Sequence, residues 1–147
     1  MDAKRNDALV FRVGGQDEQR EAPSDIYLAR CVHIEPDWGY IGNKVALYFR
    51  VESGIYEGYR ARLFYRKRTP EYAKETGSYF GARSKLIRDL RRIFPNQDLN
   101  GQIDVDLGKL FLNKIFRIEV VQKPSQEGTG MNAIVIKIEH PELAESG

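Results

Sequence analysis

The chain has 147 residues and a formal net charge of +2, with 41% hydrophobic and 30% charged residues, which is the composition of a globular protein with room for one core. No apolar run approaches the roughly 18 residues that span a bilayer, and the N-terminal residues have neither the apolar core nor the cleavage site of a signal peptide. We therefore expect a single-domain cytoplasmic protein that has no membrane partner.

The N-terminal 23 residues are polar and mixed in charge, and Gly14-Gly15 and Pro23 interrupt them. Such a composition predicts a mobile arm. Its one apolar patch, Leu-Val-Phe-Arg-Val at 9–13, has two interpretations: an extra edge strand of the sheet or a docking peptide for a partner. The predicted divisions of the chain are the mobile arm at 1–23, a folded domain at 24–140 and a short flexible tail at 141–147.

Three β-strands are predicted in the first half of the folded domain. Residues 25–35 are rich in β-forming residues and are long enough to bend before a turn at 36–39. They include the single cysteine, Cys31, which has no cysteine partner for a disulfide or zinc site and is predicted to be a buried strand residue. Two runs with period two follow, at 44–52 and 59–66, and predict a hairpin. Their predicted inner faces are Val45, Leu47, Phe49 and Val51, then Tyr59, Ala61, Leu63 and Tyr65.

A helix and two further strands are predicted in the second half. Residues 67–78 form a polar connection with a short helical turn after Pro70, and 78–94 have the apolar spacing of an amphipathic helix that Pro95 ends. A β-pattern returns at Leu107–Phe111, and the last two strands are predicted at 114–121 and 132–139. A loop with Gly128-Thr129-Gly130 joins them. Their predicted inward residues are Phe116, Ile118, Val120, Ile134, Ile136 and Ile138.

The order of three strands, one helix and two strands predicts an all-β fold of the OB type. An OB-fold is a five-stranded Greek-key barrel, and its helix lies between the third and fourth strands. Two alternatives fit the same order of elements. One is an α+β sheet with a single covering helix, and the other is a barrel of the SH3 type with an inserted helix.

Several short segments resemble small OB-fold single-stranded-DNA-binding proteins of phages, plasmids and integrating elements. They are Tyr27-Leu28-Ala29-Arg30, the turn Gly54-Ile55-Tyr56-Glu57-Gly58, the helix start Ser84-Lys85-Leu86-Ile87-Arg88 and Gly108-Lys109-Leu110-Phe111. The resemblance covers residues 24 to 139 and implies an OB barrel that binds single-stranded DNA. Many bacterial members end in an acidic tail closed by Pro-Phe, whereas residues 142–147 lack that tip, so partner recruitment by such a tail is not expected.

Bases dominate the middle of the chain, from Arg60 to Arg92, whereas acids concentrate toward the two ends. Single-strand binding needs cations that follow the phosphates and aromatic rings on which bases stack. OB-folds bind oligonucleotides on the face of strands two and three and on the adjoining loops. The predicted nucleic-acid-binding residues in these positions are Trp38, Tyr40, Lys44, Tyr48, Arg50, Arg60, Arg62, Phe64, Arg66, Lys67, Arg68 and Lys123.

Each of these residues also has a purely structural interpretation. Aromatic residues favour strands for packing reasons alone, and the bases of the predicted helix at 78–94 are equally well explained as its solvated face. The series of bases on and after the third strand favours a functional interpretation, because like charges along one strand face repel unless an anion lies across them; the series is Arg60, Arg62, Arg66, Lys67 and Arg68.

The predicted function is single-stranded DNA binding without strong sequence specificity, in replication, recombination or transfer of a mobile element. Two alternatives stay open: an OB-fold interaction module in a replication or conjugation complex, and an RNA-binding protein.

With two histidines, His33 and His140, and no Walker or Gly-x-Ser-x-Gly motif, an enzyme is not expected. Neither a cofactor nor a metal is expected, and Asp104 and Asp106 are assigned to a solvated loop. Replication or recombination proteins are expected partners, and pairing of strand edges between chains would give a homo-oligomer.

Overall fold

The strands of the described residues form a closed barrel. The structure is a computed structural model that describes residues 20–99, 104–125 and 130–141. The elements in chain order are β1 (Asp25–Trp38), β2 (Lys44–Val51), β3 (Arg60–Arg66), α1 (Pro70–Thr76), α2 (Lys85–Ile93), α3 (Leu107–Phe111), β4 (Ile115–Pro124) and β5 (Met131–Glu139). The strands are hydrogen-bonded in the order β1-β2-β3-β5-β4, and β4 pairs back with β1. The prediction of a mostly β, five-stranded barrel with helical structure between its third and fourth strands is confirmed.

Neighbouring strands are antiparallel except for β3 and β5. These two strands are parallel, and Arg62 lies opposite Ile134. β1 bends as it passes from β4 to β2, with register shifts after Cys31 and after Glu35. Such bulges increase the local twist, which lets one long strand take part in two sides of a small barrel.

Alternating side chains fill the barrel, because successive residues of a strand point to opposite faces. The predicted inner faces of β2 and β4 are buried, and so are three of the four residues predicted for β3. Cys31 is fully buried, as predicted, and burial raises the pKa of its thiol to about 12. The buried residues of these three strands are Val45, Leu47, Phe49, Val51, Ala61, Leu63, Tyr65, Phe116, Ile118 and Val120.

The predicted inner face of β5 was wrong at two of its three positions. Ile136 is 42% exposed and Ile134 is half-buried, whereas Ala133 and Val135 are buried. The cause is a bulge: Glu119 of β4 pairs with Lys137 and the next residue pairs with Val135, so that Ile136 is left over. One extra residue moves every side chain on one side of it to the other face.

The helical region differs from the prediction in two places. α1 follows Pro70 as expected, whereas α2 begins at Lys85 because Ser84 caps it: the Ser84 Oγ accepts a hydrogen bond from the Ile87 N–H at 3.4 Å. The segment Leu107–Phe111, predicted as β, is the helix α3, whose first turn is capped by Asp106. None of the helices in the described ranges is long and apolar enough to cross a membrane.

Residues 20–22, which the sequence assigned to the mobile arm, pair with the start of β3. The Ala22 N–H donates to the Arg60 carbonyl at 2.9 Å, and the Arg60 N–H donates to the Arg20 carbonyl at 2.8 Å. Ala22 is fully buried in the core. The predicted arm up to residue 19, with its apolar patch at 9–13, lies outside the described residues, as do 126–129 of the predicted Gly-rich loop and 142–147 of the predicted tail.

Candidate nucleic-acid interface

The outer side of the β2–β3 hairpin carries two rows of polar and aromatic side chains. The strand register places Lys44 opposite Arg66, Tyr48 opposite Arg62, and Arg50 opposite Arg60. Directly opposite side chains on one sheet face lie about 5 Å apart at Cβ, so they form one continuous surface. We call this surface the hairpin face, and its residues are Lys44, Tyr48, Arg50, Arg60, Arg62, Phe64 and Arg66.

Two aromatic rings meet at one end of the hairpin face. Trp38, the last residue of β1, packs on Phe64 with 4.4 Å between ring centroids and 50° between ring planes. The Lys44 Nζ lies 5.6 Å from the centroid of the Trp38 ring and 5.8 Å from that of Phe64. The Arg62 guanidinium lies 5.6 Å from the Phe64 centroid. We call Trp38 and Phe64 the aromatic pair; both rings are half-buried, so they present π-surface next to two cations.

A second aromatic contact lies further along the same surface. Tyr48 packs against His33 of β1, with 5.3 Å between ring centroids. His33 is not among the residues that the sequence predicts for the site. Its pairing with Tyr48 follows from the register of β1 on β2, which the bulge after Cys31 sets and which a period-two pattern does not reveal.

The loop at 39–43, between β1 and β2, extends the surface beyond the aromatic pair. Gly39 and Gly42 have φ values of 98° and 63°, so the loop turns through conformations that favour glycine. Tyr40 at its tip is fully exposed, and in the described part of the chain no hydrogen bond or ring contact holds it. Tyr40 is therefore placed near the aromatic pair without being packed against it.

An acid lies across the bases at the other end of the hairpin face. Glu21 places its Oε1 3.8 Å from the Arg62 Nη2, and it is bridged through the backbone to Arg60. Burial raises the pKa of the Glu21 carboxyl, whereas the positive charges of Arg62 and Arg60 act to lower it. The repulsion between Arg60 and Arg62 on β3 is thus partly offset by Glu21 of the same chain. Glu21 was not predicted as a site residue, because its polar surroundings in the sequence are typical of a mobile arm.

Lys67 and Arg68 are engaged within the fold and do not lie on the hairpin face. The Lys67 side chain is 10% exposed, and its ammonium donates to the Asp37 Oδ1 at 2.5 Å. Arg68 donates through Nη1 to the side-chain oxygens of Thr76 and Ser78, each at 2.9 Å. These bonds tie the end of β1 and the end of α1 to the end of β3.

Lys123 is exposed near the end of β4, opposite Asn132. Because β5 runs parallel to β3, the first residues of β5 lie at the end of the barrel where β3 begins. The loop at 39–43 lies at the opposite end, where Lys44 faces Arg66. Lys123 is therefore separated from the aromatic pair by the length of β3.

The chemistry of this surface is that of cations and rings. Its exposed or half-buried charges are mainly guanidinium groups, which bind phosphate oxygens through paired N–H donors. No group of three or more His, Cys, Asp or Glu that would hold a metal ion occurs among the residues described.

No protein-family model matches the chain, and no curated protein sequence matches it.

Proposed function

We propose that the hairpin face binds single-stranded DNA without strong sequence specificity, and that the protein is a binding protein of replication, recombination or mobile-element transfer rather than an enzyme. The observation that carries this proposal is the aromatic pair with Lys44 and Arg62 beside it. Aromatic rings accept any base by stacking, at about 1–3 kcal/mol per base, and neighbouring cations follow the phosphates.

The barrel topology supports an OB-type assignment, which we include in the proposal. A closed order β1-β2-β3-β5-β4, parallel β3 and β5, and helices between β3 and β4 fit such a barrel. OB-folds bind oligonucleotides on the face of strands two and three, and this face carries Phe64, Lys44 and Arg62, with Trp38 of β1 packed against Phe64.

The distribution of charge supports a path for the phosphates along the hairpin. Arg50 and Arg66 are exposed at opposite ends of the hairpin face, and Lys44 lies between Arg66 and the rings. A strand laid along these residues would contact a cation at each end and stack at the aromatic pair. Guanidinium contacts to phosphate carry no sequence information, so weak sequence preference follows.

Fluorescence titration with oligo-dT tests the proposal directly. Trp38 is the single tryptophan of the chain, so its emission reports on the aromatic pair. We expect binding that changes this emission, with log affinity falling against log salt by about 0.7 for each phosphate contacted. A flat salt response, or equal affinity for duplex DNA, would overturn the proposal. Competition between oligo-dT and oligo-rU of equal length distinguishes DNA from RNA binding.

A matched pair of variants locates the binding surface. Phe64→Leu removes one ring of the aromatic pair and is expected to weaken oligo-dT binding by about 1–3 kcal/mol, measured by anisotropy of a labelled oligonucleotide. Tyr56→Leu removes a ring of similar burial from the turn between β2 and β3, where it packs on Tyr27 and Tyr59 and not on the aromatic pair, and should leave the affinity unchanged. Equal effects of the two substitutions would show that the aromatic pair is not the binding surface.

A further inference from the structure

A groove with a volume of about 650 Å³ adjoins the end of β3. It lies between that strand end and the segment that leads into α2, where the sequence had predicted a continuous helix. Its lining residues are Arg66, Lys67, Arg68, Tyr79, Phe80, Gly81, Ala82, Arg83, Ser84 and Lys85. We call it the basic groove, because five of these described residues are bases and none is an acid.

The basic groove is built by Arg68 and does not depend on a ligand for its shape. The Arg68 N–H donates to the Tyr79 carbonyl at 2.9 Å, and its guanidinium binds Thr76 and Ser78. A Cβ at Gly81 would lie 2.8 Å from the Arg68 Nη2, so glycine lets the chain pass close to this anchored side chain. The wall formed by residues 78–84 is therefore fixed to the end of β3.

Three cations of the groove are exposed, and none forms an ion pair with an acid of the described residues. They are Arg66, Arg83 and Lys85. Lys67, in contrast, is neutralised by Asp37 and holds its Nζ 5.3 Å from the centroid of the Tyr79 ring. Tyr79 is 46% exposed, so part of its ring stays open to a base while Lys67 lies against it.

Arg66 joins the basic groove to the hairpin face. It lines the groove and, in the β2–β3 register, it lies opposite Lys44, whose ammonium lies beside both rings of the aromatic pair. One cross-strand pair thus separates the stacking rings from the groove. A chain of phosphates that passes the aromatic pair toward the end of β3 meets the groove next.

We propose that the basic groove is a second segment of the DNA site, which binds the same single strand as it leaves the hairpin face. Arg83 and Lys85 contact its phosphates, and Tyr79 stacks on a base. This inference rests on the proposed function and extends it. It predicts that short oligonucleotides bind the hairpin face alone, whereas long ones bind the hairpin face and the basic groove.

The test compares two double substitutions that remove the same charge from the same region. Arg83→Ala with Lys85→Ala removes the two groove cations, and Arg88→Ala with Arg91→Ala removes two exposed bases of α2 that do not line the groove. Each protein is titrated with oligo-dT of roughly 5 and roughly 16 nucleotides, which are near the limits of OB-fold site sizes. Thermal unfolding of each variant checks that the barrel is intact.

We expect the groove variant to bind the short oligonucleotide like the wild type and the long one more weakly. Loss of two phosphate contacts lowers the salt slope for the long oligonucleotide by about 1.4, which corresponds to a loss on the order of 25-fold at 0.1 M salt. Tyr79→Leu is expected to weaken only the long complex as well. The α2 control should keep the wild-type slope at both lengths.

The outcomes separate this inference from the proposed function. Wild-type binding at both lengths with no difference between the groove variant and the α2 control overturns the inference and leaves the proposed function standing. An equal loss at both lengths also overturns it, because the groove would then not be a separate segment. If the wild type binds neither the short nor the long oligonucleotide, the proposed function itself is overturned.

Discussion

Glu21 is the residue that sets how much positive charge the hairpin face presents. It lies near Arg60 and Arg62, and its Oε2 and the Arg60 Nε are both buried without a hydrogen-bond partner in the described residues. The loss of hydration of this carboxylate is only partly offset by its contacts with the protein. The effect of burial on its pKa is therefore larger than the opposite effect of the two arginines, and the pKa is raised. In the proposed complex this acid would lie close to the phosphates and oppose them.

We therefore predict that Glu21→Gln binds oligo-dT more tightly than the wild type at pH 7. A raised pKa means that the folded protein takes up the proton more readily than the unfolded chain, so neutral Glu21 becomes populated as pH falls toward that pKa. Wild-type affinity should increase on acidification, and this increase should be smaller in Glu21→Gln. Anisotropy titrations at pH 7 and about pH 5 measure both effects.

The control for this prediction is Glu75→Gln, which neutralises an exposed acid on α1. It changes the net charge by the same amount and should leave both the affinity and its pH dependence close to those of the wild type. If the two substitutions tighten binding equally, net charge and not the position of Glu21 is responsible.

The sequence predicted correctly which face of the barrel a side chain occupies wherever the pattern within a single strand determines that face. Alternation along β2 and β3 was sufficient to place Lys44, Arg62 and Phe64 on one outer surface, because the period of two is a property of each strand alone. The contacts of Lys67 with Asp37, and of Arg68 with Ser78, depend on how loops return to the end of β3. No pattern within a strand encodes such contacts.

At the level of elements, the strands were predictable and their interruptions were not. The bulge that leaves out Ile136 requires a comparison of β5 with β4, since both strands look regular in isolation. The helix α3 was missed and its residues were assigned a β-pattern, although Asp106 stands at its N-cap, because five residues are too few to separate helical from strand periodicity. Phe111 of this helix packs against Phe116 and Phe94, with ring centroids 5.4 and 5.6 Å away.

Substitutions in β5 test the bulge. Ile136→Thr replaces a side chain that is 42% exposed and should change the free energy of unfolding by about 0.5 kcal/mol or less. Ile138→Thr makes the same chemical change at a fully buried site and should cost about 2 kcal/mol or more, because it buries a hydroxyl and removes apolar volume. Urea denaturation measures both. Equal losses of about 2 kcal/mol or more at both positions would mean that β5 has no bulge and that Ile136 and Ile138 face the core together, as regular alternation predicts.

A buried polar contact fixes α2 to the barrel. The Tyr65 hydroxyl of β3 donates to the Asp89 Oδ2 of α2 at 2.7 Å, and Arg92 donates to the other carboxylate oxygen at 3.2 Å. Arg92 also donates to the Ile138 carbonyl of β5. Burial, followed by the nearby Asp89 charge, raises the pKa of Tyr65, so its hydroxyl stays a donor at all ordinary pH values.

Removal of that hydroxyl is expected to destabilise the protein measurably. Tyr65→Phe leaves the buried Asp89 carboxylate with Arg92 alone, and loss of a hydrogen bond to a charged group costs about 1.5–3 kcal/mol. Tyr59→Phe is the matched control, because among the described residues its hydroxyl has no hydrogen-bond partner and its ring contact with Tyr56 is retained. Urea denaturation should show a lower midpoint for Tyr65→Phe alone; equal midpoints would mean that the hydroxyl contributes nothing.

For the whole molecule, the strands that form the barrel are also those that carry the proposed site. β2 and β3 bury Leu47 and Leu63 on one face and present the hairpin face on the other, so ligand contacts and core contacts belong to the same two strands. Unfolding therefore removes the binding surface completely. A ligand that binds only the folded chain stabilises it by mass action.

Oligo-dT is accordingly expected to raise the melting temperature of the protein. At a ligand concentration 100 times Kd the gain is about 2.7 kcal/mol, which for a chain of this size corresponds to a shift of roughly 5–10 °C. The double variant Arg62→Ala with Phe64→Ala should lose most of this shift, because it removes a cation and a ring from the proposed site while both side chains lie outside the core. Differential scanning fluorimetry at fixed salt, with duplex DNA as the control ligand, measures the shift. An unchanged melting temperature at a concentration where anisotropy shows saturation would mean that the unfolded chain binds equally well, and binding would then not depend on the barrel face.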